Sequence, residues 1–256
     1  MKTAIPIHWR SFSLVKQGHG ADEYEDAAAA DGARGRFAVA DGASESSFAA
    51  LWAGLLAREF VRAPLGRRRR WAAWLPPLRA RWAKELDGRA LPWYAEEKLR
   101  VGAFATFLGL VVRPSRWRAV AVGDSCLFHL REGRLLRAFP LSRSDEFGNT
   151  PRLVGSRAPE PDAIEHQQLR AQGHCRADDR FLLATDALAQ WFLRQVEGGN
   201  EPWPAVNRLL EPPADDAVFA SWIDKLRESE GLRNDDVTLL VLDLSPEPPP
   251  TGGKTP

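Results

Sequence analysis

The chain has 256 residues, 35 Lys and Arg against 34 Asp and Glu for a net charge of +1, and 44% hydrophobic residues. That balance fits an ordinary globular protein with enough chain for a sizeable core, and it gives no global reason to expect nucleic acid or an anionic membrane as partner. No apolar run approaches the roughly 18 residues of a membrane helix; the start, Met1 to His8, lacks a signal-peptide pattern; and Cys126 and Cys175 are too few for a disulfide framework and have no metal-ligand spacing, so a reduced, cytoplasmic protein is expected.

Residues 5–15 and 35–41 read as strands, separated by a polar loop from Gly18 to Asp22 and the pair Glu25-Asp26. Ser44 is a candidate helix N-cap. The spacing of Phe48, Leu51, Trp52, Leu55, Leu56 and Phe60 predicts an amphipathic helix from Ser46 to Arg62. A second helix over Arg68 to Leu86 is expected to be interrupted at Pro76-Pro77, and a third lies around Trp93 to Arg100. The period then changes. Ala103 to Val112 and Trp117 to Val122 read as strands joined by a tight turn, and Cys126 to Leu130 pairs with Arg134 to Phe139 as a hairpin across Arg131-Glu132-Gly133. Residues 142–163 read as loop. A strand ending at Asp186, helices Ala187 to Gln195, Trp203 to Leu210 and Ala217 to Ser229, and a last strand over 236–244 complete the order. The ten Trp residues fall mostly in or beside helices and are expected in the core. Antiparallel strands with helical insertions indicate an α+β fold, sheets packed together with helices outside. One domain, residues 1–244, and a disordered Pro-rich tail, 245–256, are expected.

The acids stand at the strand ends. Phe37-Ala38-Val39-Ala40 runs into Asp41-Gly42, Phe181 to Thr185 runs into Asp186, Asp235-Asp236 opens into Val237 to Leu242, and Glu25-Asp26 precedes an apolar run. Gly123-Asp124-Ser125 lies between two strands. Each has a plain alternative: Asp41-Gly42 and Gly123-Asp124 as turns, Asp186 as an N-cap, Asp235-Asp236 and Glu25-Asp26 as solvated charge. Five such clusters at strand tips instead suit a set of oxygen ligands on a rigid scaffold, which favours Mg²⁺ or Mn²⁺ over zinc. Gly42 would also let its backbone approach a ligand closely.

The ordered series Glu25-Asp26, Ala40-Asp41-Gly42-Ala43, Val122-Gly123-Asp124-Ser125, Ala184-Thr185-Asp186-Ala187 and Asp235-Asp236-Val237-Thr238 resembles the motifs of metal-dependent Ser/Thr protein phosphatases, the protein phosphatase 2C (PPM) family. The likeness covers about residues 10–244, and Ser142 to Arg157 is more similar to the divergent bacterial branch. The resemblance implies a four-layer α/β/β/α sandwich, two antiparallel sheets packed face to face, with two Mn²⁺ or Mg²⁺ ions in a cleft at one edge and a weaker third position. It implies that Asp41 bridges both ions, that the Gly42 carbonyl reaches one, that Asp186 and Asp235 bind the other, and that Asp26 and Glu25 order the water shell. Asp124 would lie near the third position. The implied reaction is hydrolysis of phosphoserine or phosphothreonine by attack of a metal-bridging water. The implied partner is a phosphorylated protein, a Ser/Thr kinase or its target, with no nucleic acid or membrane.

Two ions that activate water and offset phosphate charge need no covalent intermediate, and the chain has neither a Cys-x5-Arg loop nor a Gly-x4-Gly-Lys-Ser/Thr loop. The sequence departs from the family at the Arg that commonly precedes the first acidic pair. Residues 8–20 offer His8, Arg10, Lys16 and His19, with Lys16 or Arg10 as a phosphate ligand and His19 as a general acid. Ala187 stands where many relatives have Gly. Two other readings stay open: a catalytically weak pseudophosphatase that binds phosphoproteins, and a Ca²⁺- or Mg²⁺-stabilised binding domain. Arg67 to Arg70 reads as a docking patch or the solvated face of a helix, while His129, Cys126 and Thr106 read as packing.

Overall fold

A computed structural model describes residues 6–43, 48–66, 70–88, 99–148, 150–157, 162–211 and 216–245. Ser44 and Ser46, most of the Trp93 to Arg100 helix, Arg67 to Arg69 and nearly all of the Pro-rich tail fall outside them.

Twelve strands and six helices are described, with two short 3₁₀ turns at Ala21–Glu23 and Ser144–Glu146. The strands are β1 (His8–Leu14), β2 (Ala27–Asp31), β3 (Arg36–Ala40), β4 (Phe104–Ala105), β5 (Phe107–Arg113), β6 (Arg116–Val122), β7 (Cys126–Arg131), β8 (Arg134–Phe139), β9 (Val154–Gly155), β10 (Leu169–His174), β11 (Asp179–Ala184) and β12 (Val237–Asp243). The helices are α1 (Ala49–Arg62), α2 (Trp71–Leu86), α3 (Asp162–Gln167), α4 (Asp186–Glu197), α5 (Trp203–Leu209) and α6 (Asp216–Ser229). One sheet runs β1-β12-β11-β7-β8 and the other β10-β6-β5-β3-β2, with β4-β9 as a small separate pair. The pairings are antiparallel.

The period-2 alternation of the strands sorts side chains into three apolar layers. Phe37, Val39, Leu108, Leu110, Phe181, Leu183, Leu240 and Leu242 fill the space between the sheets. Their alternates Ala38, Ala40, Phe107, Val111 and Val120 face α1 and α2. On the far side Phe128, Leu182, Leu239 and Val241 face α4, α5 and α6. Helices, sheet, sheet, helices is the four-layer α+β sandwich expected.

Helix α1 buries Trp52, Leu55, Leu56 and Phe60, the stripe read from the sequence, but it starts at Ala49, with Phe48 in a left-handed backbone at φ 63° as N-cap. Helix α2 does not break at Pro76-Pro77: it carries both prolines inside one helix. Trp71, Trp74, Leu75, Leu78 and Trp82 are buried on its inner face, and that packing outweighs the local penalty of about 3 kcal/mol for an interior proline. The indoles are anchored, Trp52 Nε1 donating to Val154 O at 2.7 Å and Trp74 Nε1 to Ala63 O at 3.0 Å. Seven of the ten Trp are buried, as expected, while Trp9 is exposed.

Strand β9 lies within residues 142–163, expected as loop, and β10 in a stretch given no element, while β2 is the apolar run that follows Glu25-Asp26. Strand β2, Ala-Ala-Ala-Ala-Asp, pairs with β3 although alanine favours helix. Strand β10 edges the second sheet against β6 inside a stretch with little apolar alternation. The strand expected over Ala103 to Val112 is split at Thr106 into β4 and β5.

Candidate metal centre

Six strands bring one end of each sheet to the same place. Asp41 follows β3, Asp26 precedes β2, Thr106 precedes β5, Asp124 follows β6, Asp186 follows β11, and Asp235-Asp236 precedes β12. Asp41, Asp124 and Asp186 each turn a carboxylate oxygen inward, and these oxygens lie within 4.8 Å of one another.

The backbone around each acid is held by hydroxyls. Thr106 N–H donates to Asp41 O at 2.8 Å, Asp41 N–H donates to Thr106 Oγ1 at 3.3 Å, and that hydroxyl meets Ser125 Oγ at 2.8 Å. So Thr106, read as packing, instead ties the Asp41 loop to the Asp124 loop. Gly123 is at φ +99°, a conformation that suits glycine, and a Cβ there would lie 2.7 Å from Thr106 Cβ. Gly42 is in a narrow cradle, where a Cβ would lie 2.7 Å from Glu25 O and 2.9 Å from Ala49 Cβ. The chain thus brings Glu25 against Asp41-Gly42, as close approach at a glycine allows.

Asp236 is spent on the scaffold. Its Oδ1 accepts from Lys16 N–H at 2.9 Å and its Oδ2 from Glu25 N–H at 2.7 Å. Lys16 Nζ sits 3.6 Å from Glu25 Oε2. Asp26 Oδ2 accepts from Thr238 Oγ1 at 2.8 Å, and Thr185 and Thr238 exchange bonds that register β11 to β12, Thr238 N–H to Thr185 Oγ1 at 2.9 Å and Thr185 N–H to Thr238 O at 3.1 Å.

The electrostatics are those of acids crowded without enough cations. Burial first, then Asp26, Asp186, Asp124 and Asp235, pushes the Asp41 carboxyl well above its usual range. Burial raises Asp26 to about 8, with Asp186 and Asp236 adding to it against the Thr238 and Thr185 hydroxyls. Burial and Asp186 raise Asp124 to about 7. Asp186 is raised by burial and Asp235, partly offset by Arg233.

Arg233 was not foreseen at the site. Its Nη2 bonds Asp186 Oδ2 and lies 3.2 Å from Asp235 Oδ2, with the side chain 42% exposed. Nothing in the local sequence marks it, because it lies in an irregular loop before β12. The structure therefore gathers Asp41, Asp124 and Asp186 directly, sets Asp26 among them, places Asp235 beside Asp186 through Arg233, and puts Glu25, Gly42 and Lys16 along the adjoining strand ends.

The donor set fits a hard divalent ion: all ligand atoms are oxygens, and Asp26 Oδ1 and Asp124 Oδ1 are buried with no hydrogen-bond partner, so a cation would satisfy both.

The family model described as Protein phosphatase 2C matches residues 16–235. The chain belongs to the protein phosphatase 2C family. Among solved structures it is similar to the catalytic domain of the serine threonine protein phosphatase PstP in complex with two manganese ions, at 19% identity and a TM-score of 0.59, over 93% of this chain and 97% of that one. The Mycobacterium tuberculosis serine/threonine phosphatase PstP/Ppp matches at 18% and 0.61, over 93% and 99%. The PPM Ser-Thr phosphatase MsPP from Mycobacterium smegmatis, in complex with cacodylate, matches at 18% and 0.52, over 95% and 100%. At these identities the likeness shows a shared fold, and the low values accord with a divergent bacterial branch of the family. No match was found among curated proteins. Among the described residues, no helix is long and apolar enough to cross a membrane.

Proposed function

We propose that residues 1–244 act as one phosphatase domain that hydrolyses phosphoserine or phosphothreonine in a protein partner, a Ser/Thr kinase or its target, in the cytoplasm and with Mn²⁺ or Mg²⁺. The observation that carries this reading is the convergence of Asp41, Asp124 and Asp186 to within 4.8 Å at the end of both sheets, in a chain of the protein phosphatase 2C family. Two divalent ions held there would supply an activated water at neutral pH and offset charge on the phosphoryl group, with a third position beside Asp124.

The chain's own residues then have distinct tasks. Asp41, Asp186, Asp235 and the Gly42 carbonyl hold the ions, and Asp124 serves the third position. Asp26, fixed by Thr238, and Glu25, fixed through Asp236, order solvent around them. Arg233 takes the place left by the family's arginine: it is a partly exposed guanidinium against Asp186 and Asp235, and a planar fork matches a phosphate's oxygens. Lys16, on the Glu25 side of the same strand ends, is the second phosphate-binding cation.

One observation favours the pseudophosphatase reading: Arg233 already neutralises part of the charge on two acids. Phosphate release from a phosphothreonine peptide separates the two. Release that requires Mn²⁺ and stops in EDTA supports the enzyme; binding of the same peptide with no release under either condition supports the binding module.

A further inference from the structure

The other end of the second sheet carries a different charge. Cross-strand register there places Arg36 beside Val111, Val111 beside Arg118 and Arg118 beside Gln172, with Arg113 beside Arg116 and Arg116 beside His174 in the next row. In the row before, Val120 is paired with Arg170. Period-2 alternation puts these side chains on the outer face, since Trp117, Ala119 and Ala171 between them fill the inter-sheet core. Helix α1 covers this face only as far as Arg62, where Arg36 Nη1 donates to Val61 O at 2.9 Å and Arg62 O at 2.7 Å. Beyond it lie two adjoining hollows. One, of about 840 Å³, has Phe60, Leu65 and Val120 as an apolar floor with Arg118 and Arg170 on its wall. The other, of about 510 Å³, is lined by Arg113, Arg116, Arg118 and His174. They share Val111, Arg118 and Gln172, and among the described residues no carboxylate lines either.

Three acids of the neighbouring elements are engaged elsewhere. Glu59 pairs with Arg62, Asp31 with Arg34, and Glu165 accepts from the Trp71 N–H and Gln168 Nε2. Burial lowers the Arg118 pKa from its usual value, and Arg113, Arg170 and Arg36 lower it further. Like charges so placed repel one another, and an anion that bridges them relieves that cost. In sequence, Arg67-Arg68-Arg69-Arg70 follows directly on Gly66, a lining residue of the larger hollow.

We propose that this cationic face is a docking site for an acidic segment of the phosphoprotein substrate, remote from the metal centre. The inference rests on the phosphatase reading above. Guanidiniums in a row match carboxylates bidentately. Single-stranded nucleic acid is disfavoured because it needs exposed aromatic platforms, and the rings here, Phe60 and Trp117, are 1% and 3% exposed. The chain's own tail, 245–256, has one Glu and one Lys and cannot supply the charge. Arg36 and Asp41 stand at opposite ends of β3, five residues or about 16 Å apart. The acidic segment must therefore lie at least about five residues from the phosphorylated side chain.

The test uses full-length protein and two readouts. First, a fluorescein-labelled Glu-rich dodecapeptide without phosphate is titrated in EDTA against wild type, the double variant Arg118→Glu/Arg170→Glu, and Arg208→Glu on α5 as a control, each checked for fold by circular dichroism. The proposal expects salt-sensitive binding that weakens at least tenfold in the double variant and is unchanged in the control. Second, kcat/KM is compared for phosphothreonine peptides with and without a Glu-rich segment six residues away. The preference for the acidic peptide should vanish in the double variant, while p-nitrophenyl phosphate hydrolysis stays unchanged. Equal peptide binding by wild type and the double variant, or tighter binding of an oligothymidine than of the peptide, overturns the proposal. If no substrate is turned over, the phosphatase reading fails, and the binding arm still decides the docking site.

Discussion

Thr238 Oγ1 donates to Asp26 Oδ2 at 2.8 Å, and the same oxygen meets the Tyr24 hydroxyl, so the last acidic motif is joined to the first across 212 residues of chain. Because Thr238 gives its proton to Asp26, Tyr24 must donate to Thr238. Burial pushes the Tyr24 pKa far up, which keeps it a donor throughout the working pH range. Replacing Thr238 with Val keeps the shape and leaves Asp26 Oδ2 and Tyr24 without this partner. Urea unfolding should show a loss of about 1–3 kcal/mol. Tyr24→Phe removes only the outer donor and should cost less.

Asp236 is the residue that aligns the first motif, and its effect should be separable from metal binding. Asp236→Ala leaves the Lys16 and Glu25 amides without their acceptors, at a cost of about 1–3 kcal/mol. Hydrogen exchange at these two amides should rise well above wild type. Asp236→Asn keeps one acceptor oxygen and should protect one amide of the pair.

The pH dependence of stability should have a component far from the metal centre. His129 Nε2 lies 2.9 Å from Asp179 Oδ2, and Arg131 holds the same carboxylate through Nε at 2.6 Å and Nη2 at 2.9 Å. Burial lowers His129 below its usual 6.5 despite the pull of Asp179. The unfolded chain therefore takes up a proton there that the folded chain refuses, and stability falls as pH drops below about 6.5. Burial would raise Asp179, but Arg131, His129 and the Arg176 N–H hold it below 3.8, a contribution present above that value and lost as pH falls through the folded one. The stability of wild type relative to His129→Phe should fall between pH 6.5 and 5, a difference in which the titration of the metal-site acids cancels. A difference that stays constant over that range would contradict the assignment.

Arg233 should act on substrate binding. Arg233→Ala removes a charged fork worth about 1.5–3 kcal/mol to a phosphate, so KM for a phosphothreonine peptide should rise about tenfold or more. Mn²⁺ affinity should hold or tighten, because the ion no longer displaces a cation from Asp186 and Asp235.

Much of this was legible in the sequence, for reasons that differ by element. Strands β3, β5 and β12 carry strong apolar runs because they are buried on both faces, as β6 is from Ala119 on, and α1 shows its stripe because one side meets the sheet. The acids could be placed together because Asp41, Asp186 and Asp235 stand at the tips of such strands. Strand β2 shows in the sequence only as an apolar run after Glu25-Asp26, because its four alanines intrinsically prefer helix. Strand β10 was hidden because only Ala171 faces the core while its outer positions are polar. The unbroken α2 depends on tertiary packing, with Trp71 and Trp74 against Phe107 of β5, which no local rule about proline contains. Arg233 and the Thr106-Ser125 link come from loops meeting in space, and no periodicity reports that.

The claim that Asp41, Asp124 and Asp186 form a divalent-metal centre is tested most directly by Mn²⁺ calorimetry on wild type and Asp41→Ala, with thermal unfolding of the same samples. The account expects at least two ions on wild type, with stabilisation of about 2.7 kcal/mol at a hundredfold excess over Kd, and expects Asp41→Ala to lose both the binding and the stabilisation. Folded wild-type protein that binds no Mn²⁺ or Mg²⁺, or an Asp41→Ala variant that binds as wild type does, would contradict it.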